Sequence, residues 1–273
     1  MERFAGHYDT WTDNRIAWIL DNYGADVFEG KTVLDIGGGL GHIARRVREL
    51  GARHVEVVEG RLSNIAEGHL DDGIAFTLAN LERGLTTREV SYDIVLNLGT
   101  IYHLANWEPI LIDSVLRARE LVFIETEVID SEVEYNRYVV EDVDGYDQSM
   151  SGIGSRPSEF EIDRLLTRVP NSEGLKVLDA ALNAEFHRYD WQNALDGHVE
   201  DGLRRFWVVR RQHECDPVAE RAAADALLRE IHYAKTLETL VISRRAQHEL
   251  ERKLDAVLEL LKAAGSWAES PAA

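Results

Sequence analysis

Val33-Leu34-Asp35-Ile36-Gly37-Gly38-Gly39-Leu40-Gly41-His42-Ile43-Ala44 decides the fold. An apolar run that reads as a strand ends in an acidic residue and enters a glycine-rich turn that opens a helix. Glycines suit such a turn because a ligand must approach the backbone closely and because some positions call for positive φ. The turn also presents free amides at a helix N-terminus.

Outward from this turn, between Lys31 and about Arg211, short β-rich runs alternate with helical segments. The apolar runs are Thr32–Ile36, His54–Val58, Ile74–Leu78, Tyr92–Leu98, Leu121–Val128, Lys176–Leu182 and Phe206–Val209, seven strand candidates in all. Helical patterns fall at Gly41–Leu50, Leu62–His69, Trp107–Ala118 and Ser158–Arg168, the last with a Ser158-x-x-Glu161 capping box. This alternation predicts an α/β fold: a Rossmann-like, seven-stranded, mostly parallel sheet with helices on both faces. Three regions follow: an N-terminal helical cap over 1–30, the sheet domain over 31–213, and an amphipathic segment over 217–264. In the cap, Asp13–Tyr23 carries Ile16, Ile19, Leu20 and Tyr23 on one face. In the tail, Leu227, Ile231, Ala234, Val241, Leu250, Leu254, Val257 and Leu261 fall at near-heptad steps, with a slip between Val241 and Leu250. The tail therefore reads as one long helix, able to form a coiled coil, or as a helical hairpin. It either packs on its own domain or binds a second copy or a partner protein.

Bulk composition narrows the setting. The 273 residues are 45% hydrophobic, ordinary for a globular chain. No secretory signal and no uncharged apolar run of about 18 residues is present, so a membrane span is not expected. The single cysteine, Cys215, allows no intrachain disulfide and no cysteine-based zinc site, which fits a reducing cytoplasm. A net charge of −19, from 49 Asp and Glu against 30 Lys and Arg, repels phosphate backbones and makes a large nucleic-acid substrate a poor fit.

Two ligand classes use a glycine turn of this kind. Gly39-Leu40-Gly41-His42-Ile43-Ala44 satisfies the dinucleotide spacing by letter. Asp35, however, is the wrong neighbour for a pyrophosphate and a sensible one for an ammonium or sulfonium. A second carboxylate, Glu59, ends the next strand about 20 residues on, where it can accept both hydroxyls of a ribose. Leu78-Ala79-Asn80-Leu81-Glu82 follows the third strand, and Tyr92-Asp93-Ile94-Val95-Leu96-Asn97-Leu98-Gly99-Thr100-Ile101-Tyr102-His103-Leu104 forms the fourth with its exit.

These four elements, in this order, resemble the signatures of class I S-adenosylmethionine-dependent methyltransferases, in the branch of small-molecule, saccharide and tRNA-wobble enzymes. The resemblance implies S-adenosylmethionine as cofactor. It implies Asp35 beside the cationic amino-acid part, Gly37, Gly39 and Gly41 making room for methionine and ribose, and Glu59 on the ribose. Asn80 falls near the adenine and Asn97 near the end of the fourth strand that faces the methyl group. Asn80 matches imperfectly, an ordinary turn residue being the alternative.

Methyl transfer from a sulfonium is an in-line displacement, so positioning and water exclusion matter most. A hydroxyl acceptor also needs a proton acceptor, for which His103 is the leading candidate, with Glu125 and Glu127 next. Glu125 and Glu127 share a strand face and with His103 could hold a divalent metal; this reading is not favoured, because solvated carboxylates at a strand end are commoner. His187, Tyr189 and Asp190 form a further group. The connection Asp130–Arg156 is long enough to act as a lid, with Gly152–Pro157 as its hinge, and Phe4, His7, Tyr8 and Trp11 make an aromatic cluster that closes a pocket or anchors the first helix. The expected activity is O-methylation of a hydroxylated small molecule or saccharide. The alternatives are a tRNA-modifying transferase, a non-catalytic scaffold acting through its tail, and a nicotinamide oxidoreductase.

Overall fold

The computed structural model describes residues 5–68, 73–192, 203–212 and 216–266. The chain divides into two compact units, Met1–Ala224 and Asp225–Ala273. The first opens with helix α1 (Ala5–Tyr23) and continues through β1 (Thr32–Ile36), α2 (His42–Glu49), β2 (His54–Glu59), α3 (Leu62–Glu67), β3 (Ile74–Leu78) and β4 (Tyr92–Leu98). After β4 come α4 (Glu108–Arg117), β5 (Ala118–Glu127), β6 (Asn136–Val140), β7 (Ile153–Pro157), α5 (Glu159–Leu166), β8 (Ser172–Val177) and β9 (Arg204–Arg211).

Seven strands form one sheet in the order β3-β2-β1-β4-β5-β9-β8. β1 to β5 are mutually parallel, while β9 runs antiparallel between β5 and β8. The central strands are apolar on both faces because both are covered: on one, Val33, Val55, Val57, Ile94 and Leu96 pack with Ile43, Ala44 and Val47 of α2 and with Ile16 and Ile19 of α1, and on the other, Leu34, Ile36, Val58 and Val95 are fully buried on the side where α4 packs. The chain order reverses between β1 and β4, so their C-terminal ends flank the crevice where open α/β sheets take ligands.

Several elements differ from the sequence reading. The strand predicted over Lys176–Leu182 ends at Val177, because the Asp179 carboxylate takes the Trp18 indole N–H at 2.8 Å and caps a 3-10 turn over Ala180–Leu182. The first helix starts at Ala5 rather than Asp13. In the long connection, β6 and β7 pair as an antiparallel hairpin, so the stretch expected to be a hinge is mostly a strand. Ser158 caps α5 as expected, accepting the Glu161 amide at 3.2 Å. The tail is one helix, α6 (Pro217–Ser266), and not a hairpin. Among the described residues no helix is long and apolar enough to cross a membrane. Phe4, His69 and Cys215 lie outside the described residues.

Candidate active site

The site is built at the C-terminal ends of β1, β2 and β4. Asp35, next to last in β1, is 1% exposed, and its Oδ2 is buried with no hydrogen-bond partner. Burial raises its carboxyl from 3.8 to about 7; the Arg15 guanidinium pulls it down and Glu59 pushes it up. A Cβ at Gly38 would lie 2.4 Å from Asp35 Oδ2, and one at Gly37 2.5 Å from Thr100 Oγ1, so both positions demand glycine by close approach. At Gly39, φ is +56° and a Cβ would meet nothing within 4 Å. The turn is open there. Gly41, with φ +81°, is the N-cap of α2.

Glu59 at the tip of β2 holds the turn from the other side: its Oε2 accepts the Gly39 amide at 3.0 Å and its Oε1 the Arg61 amide at 2.7 Å. Burial raises its carboxyl above the ordinary value, while the Arg61, Gly39 and Gly60 amides act against that. Asn80 caps the 3-10 turn Leu81–Arg83 by accepting the Glu82 amide at 3.0 Å, the turn role weighed against a ligand role for it.

Asn97 does not join this group. β1 pairs with β4 so that Asp35 stands beside Leu96, which puts Asn97 on the other face of the sheet. There its amide donates to Ser114 of α4 at 2.9 Å, fully buried. A one-residue step along a strand reverses the face, so proximity in sequence to the strand end did not place it in the crevice.

His103, Glu125 and Glu127 are each engaged by a different partner that the sequence did not announce. Glu125 is fully buried, paired to Arg204 at 2.9 Å and Arg15 at 3.4 Å, and accepts the Tyr189 hydroxyl at 3.0 Å. Glu127 pairs with Arg156 at 2.8 Å. His103, in the 3-10 turn Ile101–His103 after β4, meets Glu141 at 2.6 Å through Nδ1. The metal constellation weighed for these three is therefore not assembled, and among the described residues no group of His, Cys, Asp or Glu could hold a metal ion.

Around Glu125 the aromatic residues and arginines interlock. Arg204 lies over the Trp11 and Tyr102 rings at 4.5 and 4.7 Å and donates to the Tyr102 hydroxyl at 3.2 Å. Arg15 lies over Trp11 at 3.8 Å, and the Trp11 indole donates to Tyr189 at 2.7 Å. Arg204 is driven well above its ordinary value: burial works against the charge, and Glu125 with Tyr102 and Tyr189 outweighs it. Trp11 thus serves this polar cluster as well as anchoring α1. The side chains of His7 and Tyr8 lie outside the described residues. Arg15 was legible as an oddity, a cation one turn from Trp11 and Ile19 on the apolar face of α1; Glu141 carried no sequence signal.

No family model matches the chain. A curated relative, the ubiquinone biosynthesis O-methyltransferase of Maricaulis maris (strain MCS10), is 35% identical over 103 residues, covering 35% of this chain and 40% of the relative. The chain thus matches less than half the length of that protein. Among solved structures, the N-terminal domain of EvdMO1, crystallised in the presence of SAH and D-fucose, superposes with a TM-score of 0.50 at 17% identity, covering 74% of this chain and 82% of that one. An S-adenosylmethionine-dependent methyltransferase described as putative, from Listeria monocytogenes, gives a TM-score of 0.48 at 13% identity over 71% of this chain and 96% of that one. With its strand order, its antiparallel β9 and the EvdMO1 superposition, the chain has the fold of the class I S-adenosylmethionine-dependent methyltransferases.

Proposed function

We propose that this protein is an S-adenosylmethionine-dependent methyltransferase that methylates a hydroxyl oxygen on a small molecule or saccharide. One observation carries the reading: a buried carboxylate oxygen without a partner, on Asp35, stands at an open glycine turn whose other rim is Glu59. A buried anion left unpaired is costly, and an ammonium or sulfonium brought to it relieves that cost. Asp35 would face the cationic amino-acid end, the open space at Gly39 would admit the ligand beside the backbone, and Glu59 would accept ribose hydroxyls. The bound cofactor supplies an electrophilic methyl on sulfonium. The chain's residues supply orientation and, in our reading, a proton acceptor, His103, which ends the 3-10 turn begun after Thr100; the Thr100 hydroxyl donates to Ile36 O, just ahead of the glycine turn, at 2.6 Å.

Two likenesses support the oxygen acceptor. The Maricaulis maris relative is an O-methyltransferase, and EvdMO1 was crystallised with a hexose, D-fucose. The net charge of −19 speaks against tRNA. The long helix α6 we assign to association with a second copy or a partner protein, since Tyr233, Leu237, Leu240, Val241, Leu250 and Leu254 are exposed along it.

Titration calorimetry with S-adenosylmethionine and with NAD tests the cofactor, and methyl transfer from labelled S-adenosylmethionine to panels of saccharides, phenols and bulk tRNA tests the acceptor. Binding of the first cofactor alone, with label on a hydroxylated small molecule, is the expected result. No binding of S-adenosylmethionine overturns the reading.

A further inference from the structure

The β6–β7 hairpin brings one carboxylate, Glu141, to the end of β4. Glu141 follows β6 directly, and its side chain is 3% exposed. Its Oε2 meets His103 Nδ1 at 2.6 Å and accepts the Ser149 amide at 2.7 Å; its Oε1 faces Arg156 at 3.2 Å. Gly154 on β7 makes the approach possible, since a Cβ there would stand 2.2 Å from Glu141 Oε1 and 2.8 Å from Tyr102 O. Against burial, the His103 hydrogen bond and charge, the Ser149 amide and Arg156 hold the Glu141 carboxyl below its ordinary value. An ionised carboxylate only accepts, so at this contact Nδ1 is the donor.

We propose that Glu141 is the positioning residue of His103: it fixes the imidazole in the Nδ1–H tautomer and leaves Nε2 free to accept the proton of the acceptor hydroxyl. This deepens, and rests on, the methyltransferase reading. In the transfer, the acceptor oxygen gives its proton to Nε2 and forms its bond to the methyl carbon. The carbon–sulfur bond breaks with its electron pair left on sulfur, and the imidazolium later returns the proton to water. The resulting imidazolium has Glu141 as its anionic partner. Arg156, set between Glu141 and Glu127, neutralises part of that charge, and the Tyr102 ring packs on the imidazole at 3.9 Å between centroids. Glu82, distant in sequence, accepts the Ala105 amide at 2.9 Å and is a further carboxylate next to the exit of this turn.

The segment that carries Glu141 also contacts the residues that follow β2 and β3. Arg61 donates to Gln148 O at 3.1 Å, Asn64 to Tyr146 O at 2.9 Å and Ser151 to Glu82 at 3.1 Å, while Met150 sits where a Cβ on Gly60 would be 2.3 Å from its sulfur. One loop, 141–152, thus rests on the tips of β2 and β3 and at the same time orients the base.

The test uses the full chain labelled with ¹⁵N-histidine, with His103 assigned by the signal lost in His103→Gln. Long-range proton–nitrogen correlation between pH 5 and 9 should show wild-type His103 as the Nδ1–H tautomer. In Glu141→Ala, with a near-wild-type melting temperature, the preference for the Nδ1–H form should be lost. A wild-type His103 protonated on Nε2 when neutral, or an unchanged tautomer in a folded Glu141→Ala variant, overturns the proposal. The wild-type tautomer decides the matter even where the variant fails to fold. Calorimetry with S-adenosylmethionine on the same samples separates the two readings: absence of binding counts against the methyltransferase, whereas the tautomer alone scores the Glu141–His103 pair.

Discussion

Replacing Asp35 by Asn should stabilise the cofactor-free protein while destroying its ability to bind S-adenosylmethionine. Folding raises the Asp35 carboxyl from 3.8 to about 7, so between those values the folded chain holds a proton that the unfolded chain has lost. Unfolding then releases a proton, and stability falls as pH rises through this window and levels off above about 7. At about 1.4 kcal/mol per pH unit between the two values, the full penalty approaches ~4 kcal/mol by pH 8, with roughly half already present at pH 5.5. An asparagine of the same shape carries no charge and escapes the penalty. In urea unfolding without cofactor, Asp35→Asn should therefore gain on the wild type by several kcal/mol at pH 8 and by about 2 kcal/mol less at pH 5.5. The wild type should bind S-adenosylmethionine more tightly as pH rises from 5.5 to 7.5, with proton release on binding seen as a buffer-dependent heat. The variant should lose at least about a hundredfold in affinity, the scale of a removed buried charge partner. A variant less stable than wild type at both pH values, or one that binds the cofactor unchanged, refutes the electrostatic account of this carboxylate.

Gly39→Ala should fold, at a cost of about 1 kcal/mol for a left-handed alanine, because its Cβ enters open space; the same methyl should cut S-adenosylmethionine affinity, read by calorimetry. Glu125→Ala strands Arg204 and Arg15 in a buried site, and urea unfolding should show a loss of about 3–5 kcal/mol. Ser158→Ala removes the cap of α5 and should cost about 1 kcal/mol in the same assay, with cofactor affinity unchanged. A chain ended after Ala224 should keep cofactor binding and lose any self-association seen for the full chain by sedimentation velocity; loss of folding would count against the assignment of α6 to association.

The sequence by itself determined the elements whose causes are local. The strand, the glycine turn and α2 follow from period and turn chemistry within Val33–Ala44. Glu59 sits at the strand tip where alternation put it, and Ser158 caps α5 because a hydroxyl three residues ahead of a free amide can reach it. The tertiary structure alone decided matters that depend on which distant segments meet. Asn97 faces α4 because of the register of β1 on β4. Glu125, a base candidate by position, is held in a buried ion pair by Arg204, 79 residues away in the chain, and by Arg15. Glu141 reaches His103 across 38 residues only because β6 and β7 pair and Gly154 lets them approach. Spacing along a chain encodes period, caps and turns; the partner of a buried charge is fixed by packing, which no local pattern records.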